Sequence, residues 1–226
     1  MRAARPALPW YVHPAEDPNA WNLLATRVPR PSFVVANVHD GPGKPDDPWY
    51  PQALARLRGL RLLGYVDLAY GERRPADVLD DVRAWLTQYR TGGVMFDRFP
   101  ADRAATGRCV EYVSGARRVG AGFVVGNPGV VPELGYLALL DVTCVFEGAS
   151  ADYARFRPPA ALARVPRARV WHLVHTCPPD ALADITARTA QLGAGHAFVT
   201  DRVMPHPWGG FPLAETPAPP GRRGTT

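Results

Sequence analysis

Residues 62–97, LLGYVDLAYGERRPADVLDDVRAWLTQYRTGGVMFD, carry a complete strand, helix and second strand. Two short apolar runs, Leu62–Asp67 and Val94–Asp97, each end on an aspartate. Between them Pro75–Tyr89 places Val78, Leu79, Val82, Leu86 and Tyr89 on one helical face, with Pro75 suited to the first turn. Runs this uniformly apolar are buried on both faces, as parallel strands are, and parallel strands need a crossover of this length.

The same unit recurs along the chain. Apolar runs close on a polar residue at His13, Asn37, Asp67, Asp97, Asn127, Glu147, His175 and Asp201, at intervals of 24, 30, 30, 30, 20, 28 and 26 residues. The strands so marked are Trp10–His13, Phe33–Asn37, Leu62–Asp67, Val94–Asp97, Phe123–Asn127, Val142–Glu147, Val170–His175 and Ala197–Asp201. Eight such units predict an α/β fold, a compact (β/α)8 TIM-type barrel with its chemistry at the C-terminal strand ends. Asp180–Leu192 forms a second well-patterned helix stopping at Gly193, while Trp21–Arg27, Pro51–Leu57, Arg108–Arg118, Pro132–Leu139 and Ala151–Leu162 offer shorter ones. After Asp201 the stretch MPHPWGGFPLAE is too rich in Pro and Gly for a proper last helix. The expected organisation is one barrel domain over residues 1–211 and a flexible C-terminal tail over 212–226.

Composition narrows the function classes. The net charge of +5 rests on Arg, since Lys44 is the sole lysine, and the arginines are spread rather than gathered in a stripe, which argues against nucleic acid. Cys109, Cys144 and Cys177 lie far apart without CxxC spacing and read as reduced thiols. The N-terminus lacks the apolar segment of a signal peptide, and no run approaches 18 apolar residues. The expectation is a chain without membrane contact, cytoplasmic by default and secreted if a leader precedes it. Its oligomeric state is open.

Alternation along strands sends Asp97 and Met95 into the barrel mouth, with Asp67 and Tyr65, and likewise Glu147, Val145 and Thr143, leaving Cys144 outside. Two strands separate Asp97 from Glu147, so their backbones stand about 9 Å apart. Carboxylates leaning across that gap suit glycoside hydrolysis, and both the retaining separation of roughly 5–5.5 Å and the inverting one of about 6.5–9.5 Å are open. A lone acid at a strand end often caps a loop or pairs with arginine. Four together, Asp67, Asp97, Glu147 and Asp201, would repel one another unless they served a site. Trp10, Tyr11, Trp49, Tyr50, Tyr70, Trp171 and Trp208 fall near the same rim and can face the apolar sides of sugar rings. A catalytic metal would need His13, His175 and Asp201 to converge. His172 and His175, three apart on a strand, point to opposite faces, so no metal or cofactor is expected. No GxSxG elbow or GxGxxG phosphate loop is present.

These segments resemble the spherulin-4 family, spherulation-specific family 4. The matching stretches are Tyr11-Val12-His13-Pro14, Asn37 followed by Gly41-Pro42-Gly43, Gly64-Tyr65-Val66-Asp67 with Tyr70-Gly71, Gly93-Val94-Met95-Phe96-Asp97, Asn127-Pro128-Gly129 and Val145-Phe146-Glu147. They occur in family order and span most of the chain. The resemblance implies a glycoside-hydrolase-like barrel, endo-acting on galactosamine or N-acetylgalactosamine polysaccharide, with Asp97 and Glu147 as catalytic groups. Its substrate rim would comprise His13, Asn37, Asp67, Tyr70, Arg98, Asn127, His175, Asp201 and Trp208.

One departure bears on catalysis. Where the family reads Phe-Asp-Glu, this chain reads Phe96-Asp97-Arg98. A cation beside Asp97 should lower its pKa and keep it ionised, suiting a nucleophile or electrostatic stabiliser, and leaves Glu147 as acid/base with a pKa raised by its apolar strand. If the replaced acid is indispensable, the alternative is a non-catalytic carbohydrate-binding barrel. The positive net charge makes an N-acetylated or anionic glycan an easier partner than a cationic galactosamine polymer.

Overall fold

The computed structural model describes residues 2–44 and 46–216. The nine strand segments are β1 (Arg5–Pro6), β2 (Leu8–Trp10), β3 (Val34–Ala36), β4 (Leu62–Asp67), β5 (Gly93–Asp97), β6 (Phe123–Asn127), β7 (Val142–Ala149), β8 (Val170–His175) and β9 (His196–Val199). They pair in parallel in the order β1-β9-β8-β7-β6-β5-β4-β3-β2. Only Ala7 separates β1 from β2, and β1 pairs with β9 while β2 pairs with β3. The two are halves of one stave, which closes the sheet into the expected eight-staved barrel.

The helices are α1 (Pro18–Thr26), α2 (Tyr50–Arg56), α3 (Pro75–Gln88), α4 (Thr106–Arg118), α5 (Tyr136–Leu139), α6 (Ser150–Tyr153) and α7 (Leu182–Gln191). On α3 the buried stripe is Val78, Val82 and Trp85. Gly64 on β4 makes room for that helix, since a Cβ there would stand 2.1 Å from the Trp85 ring. Trp85 also donates its indole N–H to the Tyr65 carbonyl, 2.7 Å away. Among the described residues after β9 there is no helix of that size, only a 3-10 turn at Leu213–Glu215. Its first two amides, Leu213 and Ala214, donate to the Asp201 carboxylate. Of the tail read from sequence, residues 212–216 are therefore held to the barrel, and 217–226 lie outside the described residues.

The N-terminal end of the barrel is plugged by aromatic rings. Phe33 lies 5.1 Å from Trp171, 6.1 Å from Phe123 and 5.4 Å from the His196 ring. Trp171 thus belongs to the floor rather than the rim. Trp10, also assigned to the rim from sequence, packs against Trp21 of α1 and against Phe211. Cys109, Cys144 and Cys177 are free and buried.

One local irregularity decides how β7 presents its side chains. Cys144 pairs with Trp171 and Phe146 with His172, so Val145 has no partner on β8 and forms a bulge. Val145 packs with Leu137, Leu162 and Val170 outside the barrel. Phe146 also turns outward, onto Tyr153 and Phe156. Two consecutive residues face out, so the simple alternation read from sequence fails at Val145, Cys144 and Thr143. Cys144 turns inward, where the charges of Glu147 and Asp97 add to burial in raising its pKa.

Candidate functional site

Asp67, Asp97 and Asn127 end three adjacent strands in exact register, so their side chains stand in a row along the mouth. Glu147 joins them because the Val145 bulge returns it to the inner face. Its backbone N–H donates to the Gly129 carbonyl, 2.9 Å away, just beyond the end of β6.

Asn127 ties the two candidate acids together. Its amide Nδ2 donates to Asp97 Oδ1 at 2.8 Å and to Glu147 Oε2. The Gly129 N–H donates to Asn127 Oδ1 at 3.0 Å, which fixes the amide's orientation. Tyr65 donates its hydroxyl to Asp97 Oδ2 at 2.9 Å, and Trp208 its indole N–H to Glu147 Oε1 at 3.2 Å. With one nitrogen in hydrogen-bond reach of both, the nearest Asp97 and Glu147 oxygens are at most about 6 Å apart.

Burial raises the pKa of both acids above the ordinary carboxylate value. For Asp97 the hydrogen bonds from Tyr65, the Arg98 backbone N–H and Asn127 oppose that rise, and the Asp67 charge adds to it. For Glu147 the Asn127 and Trp208 donors oppose it, and the Asp97 charge adds to it. Three donors against two leave Asp97 the better-supported carboxylate.

Arg98 does not take the place expected beside Asp97. Its Nε donates to Asp67 Oδ1 at 2.7 Å and its Nη2 to Asp67 Oδ2. The expected lowering of the Asp97 pKa by this cation is replaced by a lowering at Asp67. There burial is outweighed by the Arg98 hydrogen bonds, the Ala69 N–H and the charges of Arg98 and Arg73. The exposed Tyr70 ring lies under the guanidinium, 5.8 Å away.

The remaining sequence-predicted residues surround this centre at different depths. His13 and Asn37 line a cavity of about 610 Å³ with Tyr11, Asp40, Tyr50 and Arg202. His13 packs edge-on against Tyr50, and Asn37 accepts the Gly41 N–H. His175 faces inward onto Trp208, and His172 outward to the Tyr153 hydroxyl, as their spacing predicts. Asp201 is not brought to the centre, because both of its oxygens accept backbone N–H groups. Among the described residues no group of three His, Cys, Asp or Glu side chains is placed to hold a metal ion, His13, His175 and Asp201 included. No helix among them is long and apolar enough to cross a membrane.

Two residues read from sequence as near the mouth, but not among the expected catalytic or substrate residues, belong to the centre. Tyr65, turned inward by alternation, is a direct partner of Asp97. Tyr11 packs edge-on against Tyr65 at 5.7 Å, and its hydroxyl pKa is raised by burial and then by the charges of Asp97, Tyr65 and Glu147. The sequence signal for Tyr11 is its place among the aromatic residues near the rim, within the first apolar run.

The model of spherulation-specific family 4 matches residues 7–214. Spherulin-4 of Physarum polycephalum is 24% identical over 210 residues, a match covering 86% of this chain, and the chain spans 62% of that relative's length. Sph3 of Aspergillus clavatus, solved in complex with GalNAc, is similar at a TM-score of 0.78 and 26% identity, over 93% of this chain and 94% of that one. The glycoside hydrolase domain of PelA from Pseudomonas aeruginosa shares the fold at a TM-score of 0.53 and 15% identity, over 88% and 96% of the two chains.

Proposed function

Since the chain belongs to spherulation-specific family 4, we propose that it is a glycoside hydrolase that cleaves N-acetylgalactosamine-type polysaccharide with Asp97 and Glu147. The observation that carries this reading is the single Asn127 amide nitrogen bonded to both carboxylates. It keeps two acids within one sugar's reach and orients both. The similarity to Sph3, whose structure contains GalNAc, supports the sugar class.

Roles follow from the partners. Asp97 has three donors, Tyr65, Asn127 and a backbone N–H, that oppose the burial-driven rise in its pKa, against two on Glu147; it is the better-supported carboxylate of the two and acts as nucleophile or stabiliser of the oxocarbenium-like transition state. Glu147, buried and with its pKa raised, keeps a proton for the leaving oxygen. A limit of about 6 Å between nearest oxygens fits the retaining arrangement better than the inverting one. The largely buried Trp208 and Tyr11 border the two carboxylates, and the half-exposed Arg98 and the exposed Tyr70 extend the rim. The net charge of +5 disfavours a fully deacetylated, cationic polymer.

The second reading, a barrel that binds sugar without cutting it, is favoured by Arg98 standing where the family motif carries an acid. A panel of N-acetylgalactosamine, galactosamine and uronic-acid oligosaccharides separates the two, with new reducing ends and binding isotherms measured side by side. The hydrolase reading expects reducing ends from the N-acetylated oligosaccharide. Saturable binding without cleavage would replace it with the second reading.

A further inference from the structure

A second cavity, of about 540 Å³, opens at the opposite end of the barrel. It lies where the chain enters β4 and β5, and its lining includes Arg58, Arg61, Arg90, Tyr89 and Leu60. Among the described residues, no Asp or Glu lines it. Arg30 reaches the same place, its Nη1 lying 3.6 Å from where a Cβ on Gly59 would stand. Among the described residues, none of these four exposed arginines forms an ion pair. Arg90 keeps its place in spite of a left-handed backbone, φ 55°.

We propose that this basic cavity is a binding site for a small phosphorylated ligand, separate from the carbohydrate mouth. Guanidinium groups suit phosphate because their planar donors bind its oxygens in pairs. The volume falls within the usual small-ligand range of roughly 300–1,000 Å³. The C-terminal ends of α2 and α3 point here and oppose an anion, but each contributes only about half a negative charge against four whole positive ones. Arg61, which lines the cavity, also stacks on Phe123, 4.2 Å from the ring centroid. The positive field reaches the barrel floor: His196 is held below its usual pKa by burial and then by the charges of Arg5 and Arg61.

The test is isothermal titration of the whole chain with inorganic pyrophosphate, a nucleoside diphosphate and a hexose 1-phosphate. Saturable binding near one equivalent is expected, weakened about tenfold by each of Arg58→Ala and Arg90→Ala, as loss of one charge-assisted pair implies. The double variant Arg83→Ala/Arg155→Ala removes two exposed arginines from other faces and should bind as wild type does. A nucleoside diphosphate tighter than pyrophosphate would show that Tyr89 and Leu60 hold a ring; equal affinities would show recognition through phosphate alone. Absence of saturable binding to wild type at millimolar ligand, or equal weakening in the control variant, would overturn the proposal. Cleavage at the mouth is unaffected in Arg58→Ala and Arg90→Ala, so the two sites are judged independently.

Discussion

Arg98 follows Asp97 in the chain, yet its guanidinium lies on Asp67, the residue in register with Asp97 on the neighbouring strand. The pair forms a nearly neutral unit beside the catalytic candidates, so the substitution at Arg98 need not disable them.

That arrangement predicts opposite effects for its two halves. Arg98→Ala leaves an unpaired Asp67 charge beside Asp97, raising the Asp97 pKa and moving the acid limb of the kcat/KM profile to higher pH. Asp67→Asn frees the cation and moves the limb to lower pH. The double variant should return close to wild type, whereas an Arg98 acting directly on Asp97 would leave it shifted upward. Because Arg98 is 47% exposed, Arg98→Ala should change stability by no more than about 1 kcal/mol.

The buried carboxylate of Asp97 weakens the fold at neutral pH. Its pKa is raised in the folded state, so the folded protein binds more protons than the unfolded chain between the two pKa values. Stability therefore falls as pH rises through that window. Asp97→Asn removes the charge and leaves Tyr65 a partner. Thermal melts should show a higher Tm for Asp97→Asn than for wild type at pH 7, with the gap closing toward pH 4, near the ordinary Asp pKa of about 3.9.

Much of this was legible in the sequence because strand burial and helix periodicity are local signals. β4, β6 and β8 fall where the apolar runs placed them, and α3 needed only its stripe and Pro75. The first strand was read late, at Trp10–His13 instead of ending at Trp10, because Val12 prolongs the apolar run although it no longer pairs. Alternation counted back from Glu147 sends Val145 and Thr143 inward, and it fails for both because nothing local announces that Val145 lacks a partner across the sheet. Arg98 and Asp201 were misjudged together. An ion pair across strands and a carboxylate capping a turn twelve residues onward both depend on contacts that spacing does not encode.

Trp208→Phe keeps the ring beside His175 and Phe198 but removes the donor to Glu147. Losing a hydrogen bond to the ionised form raises the Glu147 pKa, so the alkaline limb of activity should move to higher pH. A fall of about tenfold in kcat is expected from losing one bond to a charged group. An unmoved alkaline limb would mean that Glu147 is not the group titrating there.

Asp201→Ala should act on stability alone. It releases the Leu213 and Ala214 amides and loosens the turn carrying Glu215, the partner of Arg27. Loss of these partly exposed bonds costs about 1–2 kcal/mol, read as a lower urea midpoint. Sugar affinity should be unchanged, and a large loss of affinity would return Asp201 to the substrate rim.

The most direct measurement is kcat on an N-acetylgalactosamine oligosaccharide for Asp97→Asn, Glu147→Gln and the double variant. Two acids tied to one Asn127 nitrogen act as a unit, so each single change should remove about a thousandfold or more, and the double little beyond that. Full activity in either single variant, or losses that multiply in the double, would contradict the assignment.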